Sequence, residues 1–240
     1  MCATCGCGAD APDHRPRLRR IQLEADVFAK NSLYARGNRK RLRAQGTLAV
    51  NLVSGPGAGK TELLARTLTD LSGRFSAFVV VGDQHTSRDA ERLTTAGIAA
   101  LQINTGKGCH LDAHAVGHAL ERPERTDLFF IENVGNLVCP ADFDLGETKR
   151  VVLLSVTEGE DKPVKYAPLF GSADLMLLTK IDLLPHLDFD VEACLAFARR
   201  CRPDLRVLLV SARTGAGLSD WYEWLARERL SAAEAPRWEE

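Results

Sequence analysis

The feature that most constrains the fold is a glycine-rich turn that separates an apolar run from a helical pattern. Residues 48–53 are mostly apolar, and the segment Ser54-Gly55-Pro56-Gly57-Ala58-Gly59-Lys60-Thr61 follows them directly. A strand, a glycine-rich loop and the start of a helix, in this order, predict a loop whose backbone N–H groups surround a phosphate. Ser54 stands where the usual pattern has its first glycine, and the glycines that follow keep the loop permissive.

The polar side chains of this segment have predicted roles. Lys60 would reach the β- and γ-phosphates of a nucleotide and act in catalysis, and the Thr61 hydroxyl would bind Mg²⁺. The predicted nucleotide-binding residues of the segment are Ser54, Gly55, Gly57, Ala58, Gly59, Lys60, Thr61 and Glu62. The alternative is a glycine-rich turn that precedes a lysine by chance, and the flanking strand and helix patterns disfavour it.

Apolar runs alternate with helical patterns along the chain. The predicted strands are residues 48–53, 77–81, 128–131, 151–156, 175–178 and 207–210, and the predicted helices are residues 21–45, 61–72, 87–96, 111–121, 190–201 and 217–230. Continuous apolar runs are typical of parallel strands that are buried on both faces. The alternation therefore predicts an α/β fold, a mostly parallel sheet with helices on both faces.

Acidic residues follow two of the predicted strands at the edge where open parallel sheets bind ligands. Asp83 comes after the second run, and Glu132 comes after the third, three residues before Gly135. We expect both carboxylates to hold Mg²⁺ or its water shell, and the Gly135 N–H to sense the γ-phosphate. Asp83 is also the predicted water-positioning group. Taken alone, either carboxylate is equally well explained as a polar strand cap.

The segment Thr179-Lys180-Ile181-Asp182 is close to the Asn-Lys-x-Asp sequence that selects guanine. Asp182 would accept two hydrogen bonds, from the guanine N1–H and the exocyclic amine, and the Lys180 stem would cover the ring. Ser211-Ala212-Arg213, after the last run, would support the base through its backbone. Because Thr179 replaces the usual asparagine, we expect one anchoring contact to be absent and the preference for guanine to be weaker.

Cys2, Cys5 and Cys7 form a cysteine-rich start of the chain. Thiolates at this spacing can turn back on one ion, with the α-amino group as a fourth ligand, and would suit tetrahedral Zn²⁺ or square-planar Ni²⁺. The alternative is a terminal tail whose cysteines bind nothing. Since residues 9–20 are predicted to be a linker, we divide the chain into an N-terminal metal-binding segment, 1–20, and a domain with a leading helix, 21–240.

A second set of metal ligands consists of Cys109, His110 and Cys139, which offer two thiolates and an imidazole to Ni²⁺ or Zn²⁺. Cys139 follows Glu132 on the segment that is expected to move when the γ-phosphate leaves. Metal binding and nucleotide state should therefore be coupled in both directions. Buried cysteines near a loop are the ordinary alternative.

Four further cysteine and histidine residues are given no role. His114 and His118 continue from His110 at helical spacing and are interpreted as surface residues. Cys194 and Cys201 lie on one predicted helix and are interpreted as core thiols.

The composition argues against several other classes of protein. The formal net charge of the 240 residues is -1, which gives no electrostatic case for binding nucleic acid or an anionic membrane. The apolar runs are shorter than a membrane span, and the chain does not begin with the pattern of a signal peptide. We therefore expect a cytoplasmic protein whose seven cysteines are reduced thiols.

Together, these segments resemble the hydrogenase-maturation nickel GTPases, the HypB family in the SIMIBI class of P-loop GTPases. The likeness covers nearly the whole chain, including residues 132–140 and 155–163. It implies a P-loop NTPase fold, GTP hydrolysis with Mg²⁺, and nickel delivery to the [NiFe]-hydrogenase large-subunit precursor.

The resemblance also implies protein partners. It implies a HypA-type nickel chaperone and a GTP-promoted homodimer with metal bound by Cys109, His110 and Cys139 at its interface. Lys162 or Lys165 would reach the nucleotide across the dimer. The N-terminal cysteines resemble the high-affinity nickel site of some family members.

Three alternatives remain open. A related metallochaperone GTPase, of the urease or cobalamin-enzyme type, would share the fold without explaining the N-terminal cysteines. A small-molecule kinase would share the phosphate loop but not the guanine-binding segments. A nickel or zinc buffer with nucleotide-regulated dimerisation would keep the metal ligands without delivering the metal.

Overall fold

The computed structural model describes residues 15–84, 87–106, 108–123 and 125–234, and of residues 15–25 it describes the backbone alone. The predicted metal site at Cys2, Cys5 and Cys7 therefore lies outside the described residues. Among the described helices, none is both long enough and apolar enough to cross a membrane.

One parallel sheet forms the centre of the fold, as the continuous apolar runs predicted. Its strands are β1 (Leu48–Ser54), β2 (Ala77–Asp83), β3 (Ala100–Asn104), β4 (Leu128–Glu132), β5 (Lys149–Ser155), β6 (Leu175–Thr179) and β7 (Arg206–Val210). They lie in the order β3-β2-β4-β1-β5-β6-β7, and every neighbouring pair is parallel. Strand β1 is central and buried along its whole length, so the glycine-rich loop leaves from the middle of the sheet.

Strand β3 was not predicted. Its residues are half-buried up to an exposed end at Asn104, and its sequence, Ala-Leu-Gln-Ile-Asn, mixes polar with apolar side chains. An edge strand that pairs on one side only does not need the continuous apolar run of a central strand.

Helices connect the strands. They are α1 (Arg15–Gln45), α2 (Lys60–Asp70), α3 (Arg88–Thr95), α4 (Ala113–Ala119), α5 (Lys162–Lys165), α6 (Ala167–Ser172), α7 (Val191–Cys201) and α8 (Leu218–Glu234), with 3₁₀ turns at Cys139–Ala141 and Ile181–His186. The start of α1 at Arg15 lies inside the predicted linker, because Pro16 falls in the first turn, where a missing N–H costs little. The short helices α5 and α6, each with a proline at its start, were also not predicted.

Apolar side chains pack against both faces of the sheet. Leu48, Val50 and Leu52 of β1 belong to a core cluster that includes residues of α2 and α8. The alternate residues Ala49 and Val53 belong to two further clusters. Because successive side chains of a strand point to opposite faces, this division confirms a sheet that is covered on both sides.

Helix α1 is held against the domain by buried asparagine side chains. Asn38 donates from Nδ2 to the carbonyl oxygens of Ala113 at 2.7 Å and of Leu145 at 2.9 Å. The Asn31 Oδ1 accepts a hydrogen bond from the Ala113 N–H at 2.8 Å. Gly146 lies so close to α1 that a Cβ atom there would be 2.5 Å from the Ala35 carbonyl oxygen. These contacts fix α1 beside the start of α4.

We predict that Asn38→Ala lowers the free energy of unfolding by about 1–3 kcal/mol, because two carbonyl oxygens then lose a buried donor. Chemical denaturation measures the change. Arg36→Ala, at an exposed position of the same helix, is the matched control and should change the free energy by less than about 0.5 kcal/mol. Equal effects of the two substitutions would contradict a specific docking role for Asn38.

Candidate functional site

The glycine-rich loop joins the end of β1 to the start of α2, as predicted. Gly57 and Gly59 have φ angles of 75° and 96°, the left-handed region that favours glycine, and Gly59 is the N-cap of α2. The loop borders a cavity of about 360 Å³. The free N–H groups of the first turn of α2 make this loop a suitable site for phosphate.

Lys60 is almost completely buried at the base of the loop. Its ammonium donates to the Ser54 hydroxyl at 2.7 Å, and that hydroxyl donates to the Gly55 carbonyl oxygen at 2.6 Å. Burial lowers the pKa of Lys60, and the nearby Glu132 opposes this shift. The serine that replaces the usual glycine thus gives the lysine a polar partner beside the loop.

Glu132 and Thr61 form the predicted magnesium-binding pair. The Thr61 hydroxyl donates to the Glu132 Oε1 at 2.6 Å. The side chain of Glu132 is deeply buried, and its Oε2 has no hydrogen-bond partner among the described residues. Burial raises the pKa of this carboxyl to about 7. A carboxylate oxygen without a partner, next to a threonine hydroxyl, is a donor set that fits Mg²⁺.

Asp83 and Gly135 border the same cavity as the loop. A Cβ atom on Gly135 would lie 2.9 Å from the Pro56 Cα, so the backbone of the segment after β4 packs directly on the phosphate loop. Gly135, the predicted γ-phosphate sensor, is therefore adjacent to the glycine-rich loop.

Two further residues of this cavity, Asp89 and Arg92 of α3, were missed by sequence reasoning. The Arg92 guanidinium forms an ion pair with the Glu62 carboxylate. In the sequence, Asp89 and Arg92 are ordinary charged positions of an amphipathic helix. Only the packing of α3 beside α2 brings them to the cavity. No local pattern could have identified them.

A second cavity, of about 440 Å³, lies on the other side of the loop where the predicted base-binding segments meet. It is lined by Ala58, Gly59, Glu62, Leu63, Thr179, Lys180, Asp182, Leu183, Val210, Ala212 and Arg213. The Ser211 hydroxyl donates to the Asp182 Oδ1 at 2.6 Å, which orients the carboxylate. Lys180 has a φ of 60°, and its ammonium donates to the Gly57 carbonyl oxygen at 2.7 Å.

Thr179 corrects one expectation. Its hydroxyl donates to the Ala58 carbonyl oxygen at 2.7 Å, so the threonine connects the end of β6 to the phosphate loop. An anchoring contact was expected to be absent here, and the hydroxyl supplies one. The predicted effect on guanine preference remains a prediction.

Cys109, His110 and Cys139 come together although 30 residues separate the two cysteines. Their ligand atoms all lie within 4.8 Å of one another, the one such group of three found among the described residues. The Cys109 Sγ lies 2.7 Å from the Cys139 Sγ and 3.5 Å from the His110 Nδ1. Each of the three side chains is only partly buried, so the group is open to an incoming ion.

Both cysteines of this cluster must lose their protons when a soft divalent cation binds. The hydrogen bond to Cys139, together with burial, raises the pKa of the Cys109 thiol, while burial lowers the pKa of His110 and favours its neutral form. A cation at the centre would replace the thiol protons and bind the neutral imidazole directly. Two sulfurs and one nitrogen favour Ni²⁺ or Zn²⁺ over Mg²⁺.

Hydrogen bonds connect the loop that carries Cys109 to the segments that follow β4 and β2. The Asn133 Oδ1 accepts from the Leu111 N–H at 3.1 Å, and the Asn136 Nδ2 donates to the Cys109 carbonyl oxygen at 3.3 Å. Gln84, the residue after β2, donates to the Gly108 carbonyl oxygen at 3.0 Å. The segments that leave β2 and β4 therefore both hold the loop that carries Cys109.

Four more residues that were singled out from the sequence lie outside the two cavities and the cysteine–histidine cluster. Cys194 is fully buried and Cys201 partly buried, as expected for core thiols. Lys162 lies over the Tyr166 ring, and Lys165 pairs with Asp161 at 2.6 Å.

The comparisons with known proteins agree with the fold. Residues 48–209 match the family model described as CobW/HypB/UreG, nucleotide-binding domain. Hydrogenase maturation factor HypB of Azotobacter vinelandii is 58% identical over 221 residues, which are 90% of this chain and 73% of the relative.

Two crystal structures are also similar. HypB of Archaeoglobus fulgidus is 41% identical with a TM-score of 0.79, and the match covers 84% of this chain and 99% of that one. HypB of Helicobacter pylori, solved in complex with nickel, is 35% identical with a TM-score of 0.80, and the match covers 86% and 98%.

We predict that Cys139→Ser weakens Ni²⁺ and Zn²⁺ binding to the cluster by more than about tenfold. Loss of a residue that only hydrogen-bonds a metal ligand already lowers metal affinity by about tenfold or more, and Cys139 would be a ligand itself. Binding is measured by equilibrium dialysis and thiolate-to-metal absorption, in a background with Cys2, Cys5 and Cys7 changed to Ser. Cys201→Ser is the matched control, since Cys201 donates to the Pro163 carbonyl oxygen instead. Unchanged affinity in Cys139→Ser would exclude the cluster as a metal site.

Proposed function

Since the chain belongs to the CobW/HypB/UreG family, among its hydrogenase maturation factors, we propose that it hydrolyses GTP and uses the cycle to deliver nickel to the [NiFe]-hydrogenase precursor. The observation that carries the proposal is the segment from Glu132 to Cys139. It begins at the carboxylate that faces the phosphate site and ends at a ligand of the metal cluster. In this proposal, a change at one end reaches the other through the few residues between them.

Hydrolysis depends on charge placed around the phosphates. Lys60 offers its ammonium to the β- and γ-phosphates, and Asp83 orients the attacking water. Thr61 and Glu132 would hold Mg²⁺, which neutralises the charge that develops on the phosphate oxygens. Burial raises the pKa of the Glu132 carboxyl to about 7, and a cation held there would favour its ionised form.

The second cavity is the proposed guanine pocket. Asp182 accepts from the two donors on the edge of guanine, which adenine does not offer, and Ser211 holds the carboxylate in place. The Lys180 stem covers the ring, and Ala212 and Arg213 line the far wall. These contacts support GTP over ATP and disfavour the small-molecule kinase.

Nickel is the proposed cargo of Cys109, His110 and Cys139. Partly exposed ligands suit a site that must release its ion, and the similar Helicobacter pylori protein was solved in complex with nickel. The same ligand set also accepts Zn²⁺. Cys2, Cys5 and Cys7 stay a predicted additional nickel site.

The partner proposals rest on the surface beside this cluster. Val138, next to Cys139, is 60% exposed and offers an apolar side chain for contact at this surface. We propose that GTP promotes a homodimer through this surface, with Lys162 or Lys165 reaching the partner's nucleotide. A HypA-type chaperone would supply the nickel, and the cytoplasmic location stays a prediction.

We predict that Asp182→Asn lowers the affinity for GDP and GTP by more than about tenfold, because the carboxamide offers an N–H where guanine needs a second acceptor. Xanthosine nucleotides, which carry an oxygen at that position, should bind relatively better. Fluorescent-nucleotide competition measures both. Asp188→Asn, an exposed neighbour, is the control, and unchanged guanosine affinity in Asp182→Asn would refute the pocket assignment.

The central test follows nickel release from the cluster in the variant without Cys2, Cys5 and Cys7. We expect GTP turnover to speed loss of the thiolate–nickel absorption to a chelator at least about tenfold, which corresponds to a release barrier lower by about 1.4 kcal/mol. A non-hydrolysable GTP analogue should not accelerate nickel release. Lys60→Ala should abolish both the accelerated nickel release and the release of phosphate from GTP. If release is the same in all conditions while nickel stays tightly bound, the protein is a metal buffer and delivery is refuted.

A further inference from the structure

A pair of histidines on the exposed face of α4 lies outside both sites. His114 and His118 are one helical turn apart, a spacing that places side chains next to each other. Their Nε2 atoms are 3.2 Å apart, and their rings meet edge to face with centroids at 4.6 Å. Both side chains are exposed, so an ion in solution can reach them.

The separation of the two nitrogens matches that of two ligands on one ion. Metal–imidazole bonds of about 2.05 Å place neighbouring nitrogens about 2.9 Å apart at a right angle and about 3.4 Å apart at a tetrahedral angle. The observed 3.2 Å lies between these values. Both Nε2 atoms can therefore bind one ion with little movement of the rings.

Tyr34 and Glu121 lie next to the two rings. The ring of His114 packs edge to face against Tyr34 of α1 at a centroid distance of 4.7 Å. The His118 Nδ1 lies 3.8 Å from the Glu121 carboxylate, so this carboxylate adds negative charge beside the pair without a direct hydrogen bond. The Nε2 atoms of the two rings are the ones that approach each other.

The pair also lies beside the metal cluster. A cavity of about 310 Å³ between α1 and the start of α4 is lined by both His110 and His114. An ion bound by the histidine pair would therefore be at the rim of the cavity that reaches a ligand of the cluster.

We propose that His114 and His118 form a separate binding site for a divalent late transition-metal ion, with water completing the coordination sphere. Imidazole nitrogen is a preferred ligand of Ni²⁺, Cu²⁺ and Zn²⁺. The competing interpretation is a hydrogen bond between the two Nε2 atoms, with one ring as donor and the other as acceptor. Metal titration separates the two interpretations.

The experiment uses the full chain with Cys2, Cys5, Cys7, Cys109 and Cys139 changed to Ser. These substitutions remove the thiolates of both proposed cysteine sites. Equilibrium dialysis against NiCl₂ should show one bound ion without thiolate charge-transfer absorption. His114→Gln and His118→Gln should each weaken this binding by at least about tenfold, since each removes one of two protein ligands. Cu²⁺ spin resonance should show coupling to two nitrogens.

His186→Gln, at an exposed histidine of a 3₁₀ turn, is the matched control and should leave binding unchanged. Because metal binds the folded state only, Ni²⁺ should raise the melting temperature of the parent and not of the two variants. Circular dichroism without metal confirms that each variant is folded. Binding that survives both substitutions, or that His110→Gln removes while His118→Gln does not, would overturn the proposal.

Discussion

The pairing of β1 with β4 is the constraint on which both sites depend. Leu52 lies opposite Glu132 in this parallel pair, so the phosphate loop and the segment after β4 leave the sheet side by side. The hydrogen bond from Thr61 to Glu132 then joins the start of α2 to the end of β4. Because both strands are fully buried, neither can shift by one residue without turning apolar side chains out of the core. The geometry of the site thus follows from the centre of the sheet.

The parts of the molecule that could be predicted from sequence are those in which the pattern is local. Central strands carry continuous apolar runs, and the turn at residues 54–61 contains its own glycines, lysine and threonine. The clustering of Cys109, His110 and Cys139 was also predicted, although from cysteines and histidine of the right chemistry rather than from any periodicity.

The parts that could not be predicted depend on contacts between distant residues. Strand β3 needs only one neighbour and so lacks a distinctive pattern, and Arg92 reaches the phosphate cavity only because α3 packs beside α2. The role of Thr179 was misjudged because its partner, the Ala58 carbonyl oxygen, is 121 residues away. Similarly, the docking of α1 rests on asparagines that look like ordinary surface residues in the sequence.

The length of the segment between the two sites has a mechanical consequence. Seven residues of extended chain span at most about 25 Å, and this segment is shortened further by the 3₁₀ turn at Cys139–Ala141. The amide groups of Asn133 and Asn136 also fasten it to neighbouring backbone. The segment is therefore a short connection that neighbouring backbone holds at two points. A displacement of Glu132 would have two routes to the loop that carries Cys109, one along the chain to Cys139 and one through the amide groups of Asn133 and Asn136.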